Sequence, residues 1–115
     1  MNLAELETIS DLDELIELSR SKPVFLFKHS TRCPISTFAQ KEYYKHVQTA
    51  DREKVEYTFL DLIAYRNVSN AIAEKTGVVH QSPQAILLVN GDAVWSDTHT
   101  QITESALAQA VNDYC

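Results

Sequence analysis

Leu12, Leu15, Ile16 and Leu18 recur at steps of one to three residues along one stretch of chain, a stripe that fits a helix with a single apolar face. Ser10 offers an N-cap ahead of them, and Asp11, Asp13 and Glu14 put negative charge where the helix dipole favours it. Pro23 stops that helix, which is predicted over residues 10–22 and preceded by a short strand at 3–9. Val24, Phe25, Leu26 and Phe27 then form an uninterrupted apolar run, as in a strand covered on both faces. Pro34 suits a first helical position, so a longer helix is predicted from there to about residue 49. Residues 55–62 read as a second covered strand, 68–75 as a helix closed by Gly77, and 85–89 as a third buried strand. Asn90-Gly91 is a strong hairpin signal, so residues 93–96 should pair antiparallel with the strand before it. Thr103 caps a final helix with Glu104 in its first turn and Leu107, Ala110 and Val111 turned inward.

The predicted order is β-α-β-α-β-α-β-β-α. Strands separated by helices require right-handed parallel crossovers, and the closing hairpin makes the sheet mixed. The expected fold is an α/β three-layer sandwich of thioredoxin type with a central mixed β-sheet, built as one domain over residues 1–115. A hydrophobic share of 44% and a charged share of 23% fit a globular chain. No apolar run approaches the roughly 20 residues that cross a bilayer, so no membrane role is expected. The net charge of −6 argues against a nucleic-acid surface, and two glycines leave no room for a glycine-rich phosphate loop. The amino-terminal stretch lacks the basic-then-apolar layout of a secretion signal, and two cysteines are too few for a disulfide framework. A cytoplasmic location is expected.

Reactive chemistry centres on Cys33, between a buried strand and the first residue of a helix. A sulfur there faces unpaired backbone N–H groups and the positive end of the helix dipole, both of which favour thiolate over thiol. Arg32 is adjacent, with Lys28 and His29 close by, so the surroundings are cationic within an acidic chain. The alternative, a cysteine acting as a small core hydrophobe, fits poorly with neighbours Ser30, Thr31, Arg32 and Pro34. Cys33-Pro34-Ile35-Ser36 is a C-x-x-S spacing: a serine stands where a dithiol oxidoreductase would carry its resolving thiol, so another molecule must resolve a mixed disulfide at Cys33. The strand 85–89 runs antiparallel to 24–28 in this topology, which puts Ser82-Pro83 at the Cys33 end. A cis bond there would present the Ser82 backbone to an extended substrate. Cys115 ends a helix that runs away from that end and is expected to lie well beyond the roughly 7 Å reach of a disulfide. His29, His46, His80 and His99 show no metal-ligand spacing and read as surface histidines. Residues 96–101 read as a loop near the site.

The segment Phe27-Lys28-His29-Ser30-Thr31-Arg32-Cys33-Pro34-Ile35-Ser36, with Val68-Ser69-Asn70 and His80-Gln81-Ser82-Pro83-Gln84 further on, resembles the monothiol bacilliredoxins, the YtxJ-like family of thioredoxin-like proteins. Family members carry Thr-Cys-Pro-Ile-Ser; here Arg32 precedes Cys33 and Thr31 lies one place earlier. The resemblance implies a thiol–disulfide oxidoreductase of low-G+C Gram-positive bacteria that removes bacillithiol from protein mixed disulfides. Cys33 would be catalytic, with Thr31, Arg32, Pro34, Ser36, Ser82 and Pro83 binding substrate. It implies no tightly bound cofactor and no metal, with bacillithiol as co-substrate and bacillithiolated proteins as partners. Bacillithiol carries a malate with two carboxylates, for which Arg32, Lys28 and a helix N-terminus are the expected counter-charges. The buried carboxylate that thioredoxins hold on the corresponding strand is missing, since Leu26 and Phe27 occupy that region; protons must move through solvent, His29 or the ligand. Two other readings share these residues: a monothiol glutaredoxin-like protein binding glutathione or an iron–sulfur cluster, and a non-catalytic thioredoxin-like adaptor.

Overall fold

Period-two alternation along the central strand sorts the core into two layers. The computed structural model describes residues 3–115; Met1 and Asn2, the start of the amino-terminal stretch read above, lie outside them. The elements are β1 (Ala4–Glu5), α1 (Ile9–Leu18), β2 (Val24–His29), α2 (Pro34–Thr49), β3 (Glu56–Asp61), α3 (Arg66–Thr76), β4 (Gln84–Val89), β5 (Asp92–Thr98), a 3-10 turn (His99–Gln101) and α4 (Glu104–Tyr114). The sheet order is β1-β3-β2-β4-β5. β3 runs parallel to both β1 and β2, while β4 runs antiparallel to both β2 and β5. This is the expected α/β sandwich with a mixed sheet.

Phe25 and Phe27 face α2 and α4, packing with Tyr43, Val47, Leu107 and Ala110. Phe27 stacks on Tyr43 with centroids 4.6 Å apart, and Phe25 stacks on Tyr57 at 5.3 Å. Tyr43 is fully buried but donates its hydroxyl proton to the Thr58 carbonyl at 2.8 Å, so its one polar atom is satisfied. Val24 and Leu26 face the other way, against Leu12 of α1 and Val68 and Ile72 of α3. The alternation continues past the apolar run. Lys28 is 0% exposed and His29 is 5% exposed, so the two faces of β2 each end on a buried base.

α2 occupies the predicted span, and Gly77 closes α3 at φ 74°, the left-handed region that glycine enters without steric cost. Asn90 (φ 53°) and Gly91 (φ 85°) make the tight hairpin, with a register shift at Leu87/Leu88. The amino-terminal segment departs from expectation. β1 is only two residues long, and Thr8, not Ser10, is the N-cap of α1. The cause is a capping box: the Asp11 N–H donates to Thr8 Oγ1 at 3.0 Å, and Asp11 Oδ2 accepts from the N–H of Thr8 at 3.1 Å and of Glu7 at 3.0 Å. Those bonds, the one from Glu7 first, hold the Asp11 carboxyl below its ordinary range. Leu18, expected to face inward, is 36% exposed. Replacing Thr8 with alanine should lower stability by about 1 kcal/mol, and Ser10→Ala should change it by less than about half that. Urea unfolding midpoints of the two variants check the order.

Candidate active site

The chain leaves β2 at His29 and must turn sharply to start α2 five residues later. Three bonds make that turn. The Cys33 N–H donates to the Ser30 carbonyl at 3.3 Å, the Arg32 N–H to Ser30 Oγ at 3.4 Å, and the Ser30 N–H to Ser36 Oγ at 2.9 Å. Cys33 is therefore the N-cap residue, extended at φ −113° and ψ 119°, with Pro34 in the first turn. Its carbonyl accepts from the N–H of Ser36 (3.0 Å) and of Thr37 (3.3 Å). Pro34 has no N–H, so the set of free first-turn donors expected around the sulfur narrows to Ile35. Cys33 itself is half-buried and unbridged.

Of the expected substrate-facing residues, Thr31, Arg32 and Pro34 are exposed beside Cys33. Arg32 forms no ion pair among the described residues. Ser36 is different. It is 0% exposed, and its hydroxyl is spent on Ser30, so it holds the turn from inside instead of lining the substrate face. The Ser82–Pro83 bond is cis. The β2–β4 register sets Lys28 opposite Gln84, and two further steps bring Ser82 level with Ser30, at the Cys33 end. Residues 96–101 are not a free loop: β5 continues to Thr98, and the His99 N–H donates to the Pro83 carbonyl at 3.1 Å.

Residues 4–107 match a family described as monothiol bacilliredoxin BrxC. The chain belongs to the monothiol bacilliredoxin family. A solved protein of thioredoxin fold assigned as an oxidoreductase is 38% identical, with a TM-score of 0.83 over 95% of this chain and 93% of that one. Two thioredoxins share the fold at low identity. The one from Fasciola hepatica is 14% identical at TM-score 0.79, covering 98% of this chain and 100% of its own. The reduced thioredoxin of Schistosoma mansoni is 16% identical at 0.78, with both chains fully covered. The bacilliredoxin is thus a thiol oxidoreductase with a thioredoxin-like fold.

Lys28, a candidate counter-charge whose direction the sequence leaves open, points into the opposite layer of this bacilliredoxin. Its Nζ donates to the Ser69 carbonyl and to His80 Nδ1, both at 3.2 Å. No carboxylate pairs with it among the described residues, and burial pulls it down from 10.5 to about 8. The surface reading is corrected for two of the four histidines. His29 and His46 are buried, and His46 Nε2 lies 2.8 Å from the Tyr57 hydroxyl; His80 is exposed as expected, with Nδ1 accepting from Lys28, and His99 is half-buried. His29 extends the Phe25, Phe27 alternation and His46 the Ala39, Tyr43 helical spacing, so periodicity carried a signal for both. No group of three or more His, Cys, Asp or Glu able to hold a metal forms among the described residues.

Cys115 borders a cavity of about 730 Å³ with Pro23, Val55 and Tyr57, at the beginning of β2. Cys33 follows the end of that strand, so at about 3.3 Å per residue the six residues of β2 alone hold the two thiols well beyond bridging distance. Burial also pushes the Cys115 thiol up, away from the thiolate.

Two predictions follow from the polar contacts. Ser36→Ala strands the Ser30 N–H and should cost about 1–3 kcal/mol in urea unfolding. For Lys28, the folded chain binds fewer protons than the unfolded chain between pH 8 and 10.5, so stability should rise with pH across that window. The descent from 10.5 to about 8 corresponds to about 3 kcal/mol. Lys28→Met should remove the rise and be the more stable protein at pH 7; parallel pH dependences in the two proteins would contradict the assignment.

Proposed function

We propose that the protein removes bacillithiol from protein mixed disulfides through Cys33 alone. The observation that carries this reading is the C-x-x-S turn: Cys33 is reachable from solvent, a hydroxyl takes the position of a second thiol, and the other cysteine lies at the far end of the sheet. In the first step the Cys33 thiolate attacks the bacillithiol sulfur of the client's mixed disulfide. That bond breaks, the client leaves as a thiolate, and Cys33 carries bacillithiol. In the second step another bacillithiol attacks the carried sulfur, giving the bacillithiol disulfide and restoring the Cys33 thiolate. Substrate contacts fall to Thr31, Arg32, Pro34, Ser82 and Pro83, with Ser36 acting on the turn from within. Arg32 is the counter-charge for the malate carboxylates, since it is exposed and Lys28 is committed to Ser69 and His80. The partners are bacillithiolated client proteins and the free thiol, in a reducing cytoplasm. Among the described residues no helix is long and apolar enough to cross a membrane.

A bacillithiolated protein incubated with the wild type and with Cys33→Ser, followed by intact mass, tests the reading. The wild type should release the client and gain one bacillithiol at Cys33; Cys33→Ser should do neither. Release no faster than buffer would exclude the activity and favour the adaptor reading. Visible iron–sulfur absorbance in anaerobically purified protein would favour the glutaredoxin-like one.

A further inference from the structure

The buried face of β2 at the Cys33 end holds an acceptor that no bond in the fold uses. Among the described residues His29 Nδ1 is buried and has no hydrogen-bond partner, while the Ser36 backbone, in the first turn behind Cys33, favours the protonated ring. The ring packs on Phe59 at 5.4 Å and Phe27 at 6.2 Å, so it cannot rotate freely to find another partner. In the tautomer protonated at Nε2, the neutral ring leaves Nδ1 as a bare lone pair. Leaving a buried acceptor unpaired costs about 1–3 kcal/mol, and native folds keep few such groups. A second one lies at the same end of the sheet. Ser82 Oγ is also buried without a partner, and extending the Lys28–Gln84 register by one step sets His29 against Pro83. Two idle polar atoms therefore lie at the Cys33 end of the sheet, one on β2 and one beside the cis proline.

We propose that His29 is the positioning and proton-holding residue of the Cys33 centre, and that the reaction cycle charges and discharges Nδ1. This rests on the function proposed above and supplies its missing proton steps. When the incoming thiol attacks the sulfur carried on Cys33, its S–H proton passes to Nδ1, by way of the Ser82 hydroxyl or a water between the two, and Cys33 leaves as thiolate. When Cys33 next attacks a client disulfide, the departing client thiolate takes that proton back. Summed over both steps, client disulfide plus free thiol gives client thiol plus small-thiol disulfide, with no proton gained or lost by the protein. The charged groups around the ring suit this task. Burial disfavours the imidazolium and wins, holding the ring below its ordinary value of 6.5; the Ser36 backbone and Asp61, opposite His29 in the β2–β3 register, act the other way. Phe59, Phe27 and Pro83 contribute no charge. The ring is therefore neutral, and ready to accept, at pH 7.

The test uses Cys115→Ser protein whose Cys33 carries 2-mercaptoethanol as a mixed disulfide, resolved by free 2-mercaptoethanol between pH 5.5 and 9.5. With His29 present, the rate should stay nearly flat from pH 7 to 8.5, because protonated thiol and neutral ring act together. His29→Gln keeps a polar side chain at this position but cannot take a proton. Its rate should climb about tenfold per pH unit and lie about a hundredfold below the parent at pH 7, the two converging above pH 9 where the thiol ionises unaided. Superimposable profiles would overturn the proposal. Should His29→Gln misfold, the His29 ring is titrated by NMR in the parent with Cys33 free and loaded; a higher imidazole pKa beside the free thiolate is expected, and identical titrations would overturn the proposal. A parent that cannot be loaded or resolved at all refutes the activity itself, and the ring titration with Cys33 free and with Cys33 alkylated still decides the role of His29.

Discussion

The hydrogen bond from the Ser30 N–H to Ser36 Oγ fastens the end of the central strand to the first turn of α2, and the position of the nucleophile follows from it. Between those two residues the chain has little freedom: Arg32 and Cys33 both bond back to Ser30, and Pro34 fixes its own φ. Cys33 is then obliged to be the N-cap. Serine at position 36 does structural work that a thiol would do poorly, since sulfur is a weak acceptor for a buried N–H. The same substitution that denies the protein an internal resolving group thus gives it a well-defined turn.

β2 ends on two bases, one per face, and neither has a buried carboxylate beside it. This reverses the sign of the charge expected under a thioredoxin-like site. A buried carboxylate would repel a thiolate; a neutral imidazole does not, and becomes attractive once protonated. The Lys28 ammonium sits in the other layer with only a carbonyl and an imidazole as partners, an arrangement that costs stability at neutral pH. Its bonds reach Ser69 on α3 and His80 in the segment leading to Pro83, and Gln84 Nε2 ties the same segment through the Val79 carbonyl. The segment carrying the cis proline is held from below by polar contacts as well as from the side by His99.

Much of this was legible in the chain. The long helix from Pro34, the glycine cap at Gly77, the Asn90-Gly91 hairpin and the antiparallel run of β4 followed from local chemistry that tertiary contacts had no reason to override. The misreading of α1 shows the limit of a single cap residue: Ser10 looked adequate, but Thr8 has Asp11 three residues on and closes two bonds at once. The two buried histidines failed for another reason. Polarity was allowed to outweigh alternation, although positions 25, 27 and 29 share a face of β2 and positions 24, 26 and 28 share the other. Only the direction of Lys28 and the unpaired state of His29 Nδ1 needed coordinates, because both depend on what α2, α3 and β4 bring to the strand.

The sheet also separates the two sulfurs by chemistry as well as by distance. Cys33 follows the carboxyl end of β2, where a helix begins; Cys115, exposed, lies by the strand's amino end at the last turn of α4, where partial desolvation pushes its thiol up. A helix start favours anions, and a helix end disfavours them. The two sulfurs therefore sit at opposite ends of the central strand of one mixed sheet. Because no change of side chain at the surface shortens the strand between them, the second sulfur of any exchange at Cys33 has to arrive from outside, and the open face at Thr31, Arg32 and Pro34 is where it can enter.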